Sequence, residues 1–149
     1  MICYMSDTEI EIEIMQTIIE DEPNEIMLTL DLVPLSVNMM YRSYRGGIRL
    51  SKRGRKFKQE CLEELDRVLI EKDTNIEKVQ QLSGDLYVDI TLYFDNKRKR
   101  DIDNYAKSLL DSLKGILFED DDQIIDLRLR KITGYHRNRS EIVIRNFEA

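Results

Sequence analysis

Leu86, Val88, Ile90, Leu92 and Phe94 alternate with Tyr87, Asp89, Thr91 and Tyr93, and eight residues later the apolar period changes from two to nearly four. Ile102, Tyr105, Ala106, Leu109, Leu113, Ile116 and Leu117 then form one apolar stripe. The first pattern is a strand with unlike faces, the second an amphipathic helix. This strand and helix are the best-defined elements of the chain, and the rest of the fold has to be built around them. Further strands are expected over 26–32, about 124–132 and about 141–147, the last two joined by a polar turn around Gly134–Ser140. Gly46-Gly47, between Tyr41–Arg45 and Ile48–Leu50, predicts a small hairpin. Pro34-Leu35-Ser36-Val37-Asn38 reads as a loop. Ser51 is placed to N-cap a helix whose apolar face is Phe57, Cys61, Leu62, Leu65, Val68 and Leu69, so Cys61 is expected in the core. Residues 72–84 read as a loop or frayed helix end. The order is strand, hairpin, helix, strand, helix, strand, strand, without regular βαβ repetition. It predicts an α+β fold with a mixed sheet and two main helices.

Charge divides the chain. Residues 1–31 hold nine of the 29 acids and no Lys or Arg, so the remainder carries all 23 bases against 20 acids. The overall charge of -6 therefore conceals a basic body behind an acidic leader. We take 1–25 as the leader and 26–149 as one domain, the size expected of a single core. The alternation of Ile10, Ile12 and Ile14 with Glu9, Glu11 and Glu13 suits an edge strand, whereas the surrounding acids and Pro23 suit a mobile tail. In the body, bases cluster between Arg42 and Lys58, at Lys97–Arg100, and over Arg128, Arg130, Lys131, Arg137 and Arg139. Separate basic clusters point to a polyanion partner or to a solvated surface. Cys3 and Cys61 are far apart and His136 is the sole histidine, which excludes a zinc ribbon and a disulfide framework. With no apolar run near ~18 residues and no signal-peptide pattern, the expected setting is intracellular and without a membrane.

Two acid clusters flank the best helix: Arg98-Lys99-Arg100-Asp101-Ile102-Asp103-Asn104 before it and Glu119-Asp120-Asp121-Asp122-Gln123 after it. Residues two apart on a helix point about 200° from one another. Asp101 and Asp103 converge only if Asp101 ends the loop and Asp103 sits at the cap, where a carboxylate also suits the helix dipole. Lys107 then lies one turn further on the same face. For a helix of about 15 residues the second cluster begins some 20 Å from Asp103, so the following loop must fold back for the clusters to meet. If they do meet, clustered carboxylates beside bases suit Mg²⁺ and phosphate, and a nearby lysine can neutralise charge developing on the phosphate. Read singly, Asp-x-Asp is also a cap and turn, Asp-Asp-Asp a solvated loop, and Asp103 with Lys107 a surface ion pair. Lys52, Arg53, Arg55, Lys56 and Lys58 oppose the dipole at the start of their helix, a conflict that a docked phosphate or neighbouring acids would relieve.

These segments resemble the RusA family of Holliday-junction resolvases. The resemblance is carried by Pro34–Asn38, by Leu50-Ser51-Lys52-Arg53-Gly54-Arg55, by Arg98–Asn104 with Lys107, by Asp111 in Leu110-Asp111-Ser112-Leu113, and by Glu119–Gln123. It runs in order from about 26 to 145, and Arg98–Gln123 is its specific part. It implies a homodimeric α+β endonuclease, dependent on Mg²⁺ or Mn²⁺, that cuts four-way DNA junctions by paired nicks. By motif position it implies Asp101, Asp103 and Asp121 as metal-binding catalytic acids and Lys107 as the catalytic cation. Asp121 is taken because it lies two places before Gln123, with Asp120 and Asp122 as the alternative choices for that ligand. Arg98, Lys99, Arg100, Lys52, Arg53, Arg55 and Asn38 form the expected DNA-binding set. Leu35 stands where the family usually has a second proline, and the acidic leader is outside the family pattern. A non-catalytic protein that binds branched DNA, and a broader nuclease acting on flaps or RNA hybrids, are the alternatives.

Overall fold

A computed structural model describes residues 25–148. The alternation around Ile10–Ile14 lies outside the described residues. The elements are β1 (Glu25–Leu30), α1 (Val37–Met40), β2 (Tyr41–Tyr44), β3 (Gly47–Leu50), α2 (Lys52–Glu71), β4 (Leu86–Tyr93), α3 (Ile102–Leu113), β5 (Ile124–Ile132) and β6 (Arg139–Asn146), with single 3₁₀ turns at Ile76–Lys78 and Asp121–Gln123. The α+β architecture with a mixed sheet is as expected.

Four strands form the main sheet in the order β1-β6-β4-β5, and β2 and β3 form a separate hairpin. β4 pairs antiparallel with β6 and parallel with β5. A parallel neighbour requires a crossover connection, and α3 supplies it. The register sets Val88 beside Ile144, Ile90 beside Ile142, and Ile142 beside Leu28, so one face of the sheet is continuously apolar. Both long helices cover that face. Cys61, Leu65, Val68 and Leu69 of α2 and Ala106, Leu109, Leu110 and Leu113 of α3 join one core with Leu86–Phe94. Cys61 is 1% exposed, and burial pushes its thiol up to about 12, so it is a packing residue and not a nucleophile.

Three local expectations change. Val37 and Asn38, expected as the end of a loop, instead begin a single helical turn, Val37–Met40, that packs against both α2 and α3. The helix expected to reach Leu117 stops at Leu113, because Lys114 leaves helical geometry and Gly115 takes φ 84°, a left-handed conformation that favours glycine. Leu117 and Phe118 remain fully buried, so the apolar stripe continued while the backbone had already turned. Finally, Asp101 is the N-cap of α3 and Asp103 lies in its first turn, two residues after the cap position expected for it.

Ser51 caps α2 as expected, its hydroxyl accepting from the Gly54 N–H at 2.9 Å. The same hydroxyl donates to the Met39 carbonyl at 2.6 Å, and the Ser51 N–H donates to the Met40 carbonyl at 2.9 Å. α1 and α2 thus meet backbone to backbone, and Gly54 is what permits it. A Cβ there would strike the Met40 carbonyl oxygen and lie 3.1 Å from its carbon. Alanine would gain about 1 kcal/mol of helix propensity, yet a backbone carbonyl cannot swing aside as a side chain can. Gly54→Ala is therefore expected to lower stability by a net ~1–2 kcal/mol in urea denaturation, within the usual cost of overpacking. An unchanged or raised midpoint would refute this account of the junction.

Candidate active site

The second acid cluster does fold back. Past Leu113 the chain turns through Gly115, whose N–H donates to the Phe118 carbonyl at 2.7 Å. The Leu82 N–H donates to the Leu117 carbonyl at 2.9 Å, tying the turn to the segment that precedes β4. Gln123 then organises the acidic loop. Its side-chain oxygen accepts from the N–H groups of Glu119 and Asp120 at 2.9 and 3.0 Å. Its amide donates to the carbonyls of Leu82 and Gly84 at 3.1 and 3.0 Å. Every polar atom of this side chain is used to fix the loop.

Held this way, the loop lies along the C-terminal half of α3. Lys107 Nζ reaches Asp121 Oδ2 at 2.7 Å and Asp111 Oδ1 at 2.9 Å. Seven residues later, at the C-cap of α3, Lys114 Nζ reaches Asp120 Oδ1 at 3.0 Å and Asp121 Oδ1 at 3.8 Å. Tyr41, the first residue of the hairpin, donates its hydroxyl to Asp111 Oδ2 at 2.7 Å. The Ser108 hydroxyl donates to the Leu35 carbonyl, so the Pro34–Asn38 segment is strapped to α3 beside Lys107. Two ammonium groups thus stand among three carboxylates drawn from two elements.

The electrostatics follow from these contacts. The hydrogen bond that Lys107 donates to Asp121, then that to Asp111, raises the Lys107 pKa well above the usual lysine value, so Lys107 is a fixed cation and not a base. The Lys114 ammonium holds the Asp120 carboxyl down to about 2, helped by Asp121. Burial, and then the bond to Asp111, pushes the Tyr41 phenol up to about 12, so it remains a donor.

Of the acids expected to act together, Asp121 meets Lys107 directly, and Asp103 precedes Lys107 by one turn on the same face of α3. Asp101, at the N-cap, makes no side-chain capping bond. Among the described residues no ion pair joins Asp101 or Asp103 to a base, and no three acidic side chains converge as a ready-made metal cage. The donor chemistry nevertheless fits a hard divalent cation: all three are carboxylates, and two of them have no cationic partner here.

The expected DNA-binding residues fall into two groups. Lys52, Arg53 and Arg55 are exposed on the first turn of α2, and Asn38 is exposed on α1, which packs against it. Arg53 reaches Met39 Sδ at 3.4 Å and Arg55 the Leu50 carbonyl at 3.1 Å; neither has an acidic partner among the described residues. Neighbouring acids therefore do not neutralise this turn, apart from Glu60 beside Lys56 at 3.7 Å. Arg98 and Lys99 are exposed in the loop before α3. Arg100 is partly committed, its guanidinium 4.2 Å from the Phe94 ring centroid and its carbonyl accepting from Lys131 at 2.6 Å. Two of the five bases of the third cluster are matched by acids of the sheet: Arg130 pairs with Asp89 at 2.7 Å and Arg139 with Glu141 at 2.8 Å.

Tyr41 and Lys114 were not singled out as site residues from sequence, Asp120 stood only as an alternative to Asp121, and Asp111 was noted only as part of a motif. Asp103, Lys107 and Asp111 recur every four residues, a spacing that already implied one charged stripe. Nothing local signalled Tyr41, which is 70 positions from its partner.

No helix among the described residues is long and apolar enough to cross a membrane. The chain is 37% identical over 51 residues to a Bacillus subtilis (strain 168) relative, "Uncharacterized protein YqaN", an alignment covering 34% of this chain and 35% of that one. The chain thus spans about a third of that relative's length. A far longer match is to the family described as Endodeoxyribonuclease RusA, over residues 32–145. That interval contains α1, the hairpin, both long helices and both acid clusters. The chain belongs to the RusA endodeoxyribonuclease family.

Proposed function

We propose that this protein is a divalent-metal-dependent endonuclease that resolves four-way DNA junctions by paired nicks, working as a homodimer. The observation that carries the reading is the 2.7 Å bond between Lys107 and Asp121, which draws the distant acid loop onto the charged stripe of α3. It lies inside the interval matching an endodeoxyribonuclease family. Asp101, Asp103 and Asp121 are the residues that would hold Mg²⁺ or Mn²⁺. When bound, such an ion polarises a phosphate oxygen and lowers the pKa of a coordinated water.

The chain's own groups do the rest. Lys107 supplies a fixed positive charge where negative charge develops on the phosphate, and its raised pKa keeps that charge in place. Arg98 and Lys99 before α3, with Lys52, Arg53 and Arg55 at the start of α2, grip the backbone of the arms. Arg100 contributes through its position in the same loop, and Asn38 through a polar contact from α1. A two-fold dimer presents two such sites, as nicking two opposed strands requires.

The deciding experiment incubates the protein with a synthetic four-way junction, with and without Mg²⁺, beside flap and linear duplex controls. Paired, symmetric, metal-dependent nicks in the junction are expected. Binding without cleavage would favour an accessory DNA-binding protein, and equal cutting of flaps a broader nuclease. Affinity should also fall steeply with salt, since each phosphate contact releases counterions. Replacing Arg98 and Lys99 together by alanine is expected to lower the log–log salt slope by roughly 2. An unchanged slope would remove these two residues from the DNA contact.

A further inference from the structure

We infer that Tyr41 and Asp111 are positioning residues for Lys107: the phenol at the foot of the hairpin orients the Asp111 carboxylate, and the carboxylate holds the ammonium where it meets Asp121. The role given to Lys107 rests on the nuclease reading above; the hydrogen-bonded chain itself does not.

A lysine has a flexible four-carbon stem, and the Lys107 side chain is 51% exposed. Packing alone does not fix its ammonium. Two carboxylates do, at 2.9 and 2.7 Å, and Asp121 belongs to a loop while Asp111 belongs to the same helix as Lys107. Asp111 is therefore the rigid reference. Yet the terminal torsion of an aspartate is broad, so the helix sets where its carboxylate sits without setting its plane. The 2.7 Å bond from Tyr41 to Oδ2 sets that plane and leaves Oδ1 aimed at Lys107. Both Asp111 oxygens are thereby occupied.

Tyr41 is well suited to this work. It has few rotatable bonds, it is half-buried, and it leads directly from α1 into β2. Ser108 fastens the segment before α1 to the helix, one residue from Lys107. The hairpin that Tyr41 begins carries exposed Arg42, Arg45 and Arg49. Its first residue thus links a basic projection to the cation of the site. With its phenol raised to about 12, Tyr41 stays a donor throughout the working pH range.

The test uses Tyr41→Phe, Asp111→Asn and the double variant of the full chain. Junction affinity and melting temperature are measured beside single-turnover cleavage at saturating protein. Tyr41→Phe is expected to bind within twofold of wild type and cleave about tenfold more slowly. The double variant should be no slower than the slower single one, since the residues act in series. A merely structural role would instead weaken binding and melting along with cleavage. Cleavage by Tyr41→Phe within twofold of wild type, with binding intact, would overturn the inference. Should wild type fail to cut any junction, the nuclease reading falls and a second readout decides. In ¹⁵N-lysine spectra the Lys107 ammonium, identified with Lys107→Arg, should be protected from exchange in wild type and shifted or lost in Tyr41→Phe. An unchanged signal would again overturn it.

Discussion

Asp103→Asn is expected to cut the rate of junction cleavage by at least a hundredfold while leaving junction affinity within about twofold. The substitution keeps the shape of the side chain and removes only its charge. Asp103 stands in the first turn of α3, exposed and without a cationic partner among the described residues. Structurally it contributes the modest ~0.3–1 kcal/mol of a carboxylate at a helix N-terminus, so melting should scarcely move. Chemically it is one of the charges proposed to hold a divalent ion at the phosphate, and removing one preorganised electrostatic partner typically costs 10²–10³-fold in rate. Comparing rate, affinity and melting in one preparation separates the two contributions. A variant that still cuts at the wild-type rate would end the assignment of Asp103 to catalysis. A stabilisation of wild type by Mg²⁺ that is absent from Asp103→Asn would support it independently of cleavage.

Lys107→Ala should be comparably severe, with a different signature. Its removal takes away the cation shared by Asp111 and Asp121, leaving Lys114, at the C-cap of α3, to balance the loop. We expect a loss of ~10²–10³-fold in single-turnover cleavage, the usual range for a lost electrostatic contact to developing charge. Stability should change little, because each ion pair is half-exposed and worth at most ~1 kcal/mol. Lys107→Arg should recover only part of the rate, since a planar guanidinium cannot replace a compact ammonium held between two carboxylates. Full activity in Lys107→Ala would contradict the role assigned to the residue.

The same contacts set a pH window. The folded pKa of Lys107 is raised, so the stability it contributes is complete below the ordinary lysine value of ~10.4 and is lost as pH rises through the raised one. A fall in cleavage rate between pH 8 and about 10 therefore should not come from Lys107. At the acid end, Asp120 is depressed to about 2. Its contribution is complete above ~3.9 and is lost as pH falls through about 2. Melting curves across pH would show these limits; loss of the Lys107 contribution near neutrality would contradict them.

Much of this was legible in the residues themselves. Local periodicity placed β4, α2 and α3, and the Gly46-Gly47 turn signal placed the hairpin, because alternation, helical spacing and turn residues are short-range properties that an element must satisfy wherever it lies. The Ser51 cap and buried Cys61 were readable for the same reason. Periodicity misplaced the end of α3, since Ile116 and Leu117 kept the apolar rhythm while Gly115 had already turned the backbone. The charged stripe of Asp103, Lys107 and Asp111 was likewise visible as a spacing. Whether Asp121 ever met it was not. That depended on a turn through Gly115, on the carbonyls of Leu82 and Gly84 accepting from Gln123, and on a phenol 70 residues upstream finding Asp111. Such contacts join segments distant along the chain, and only packing on a common sheet brings them within hydrogen-bond reach.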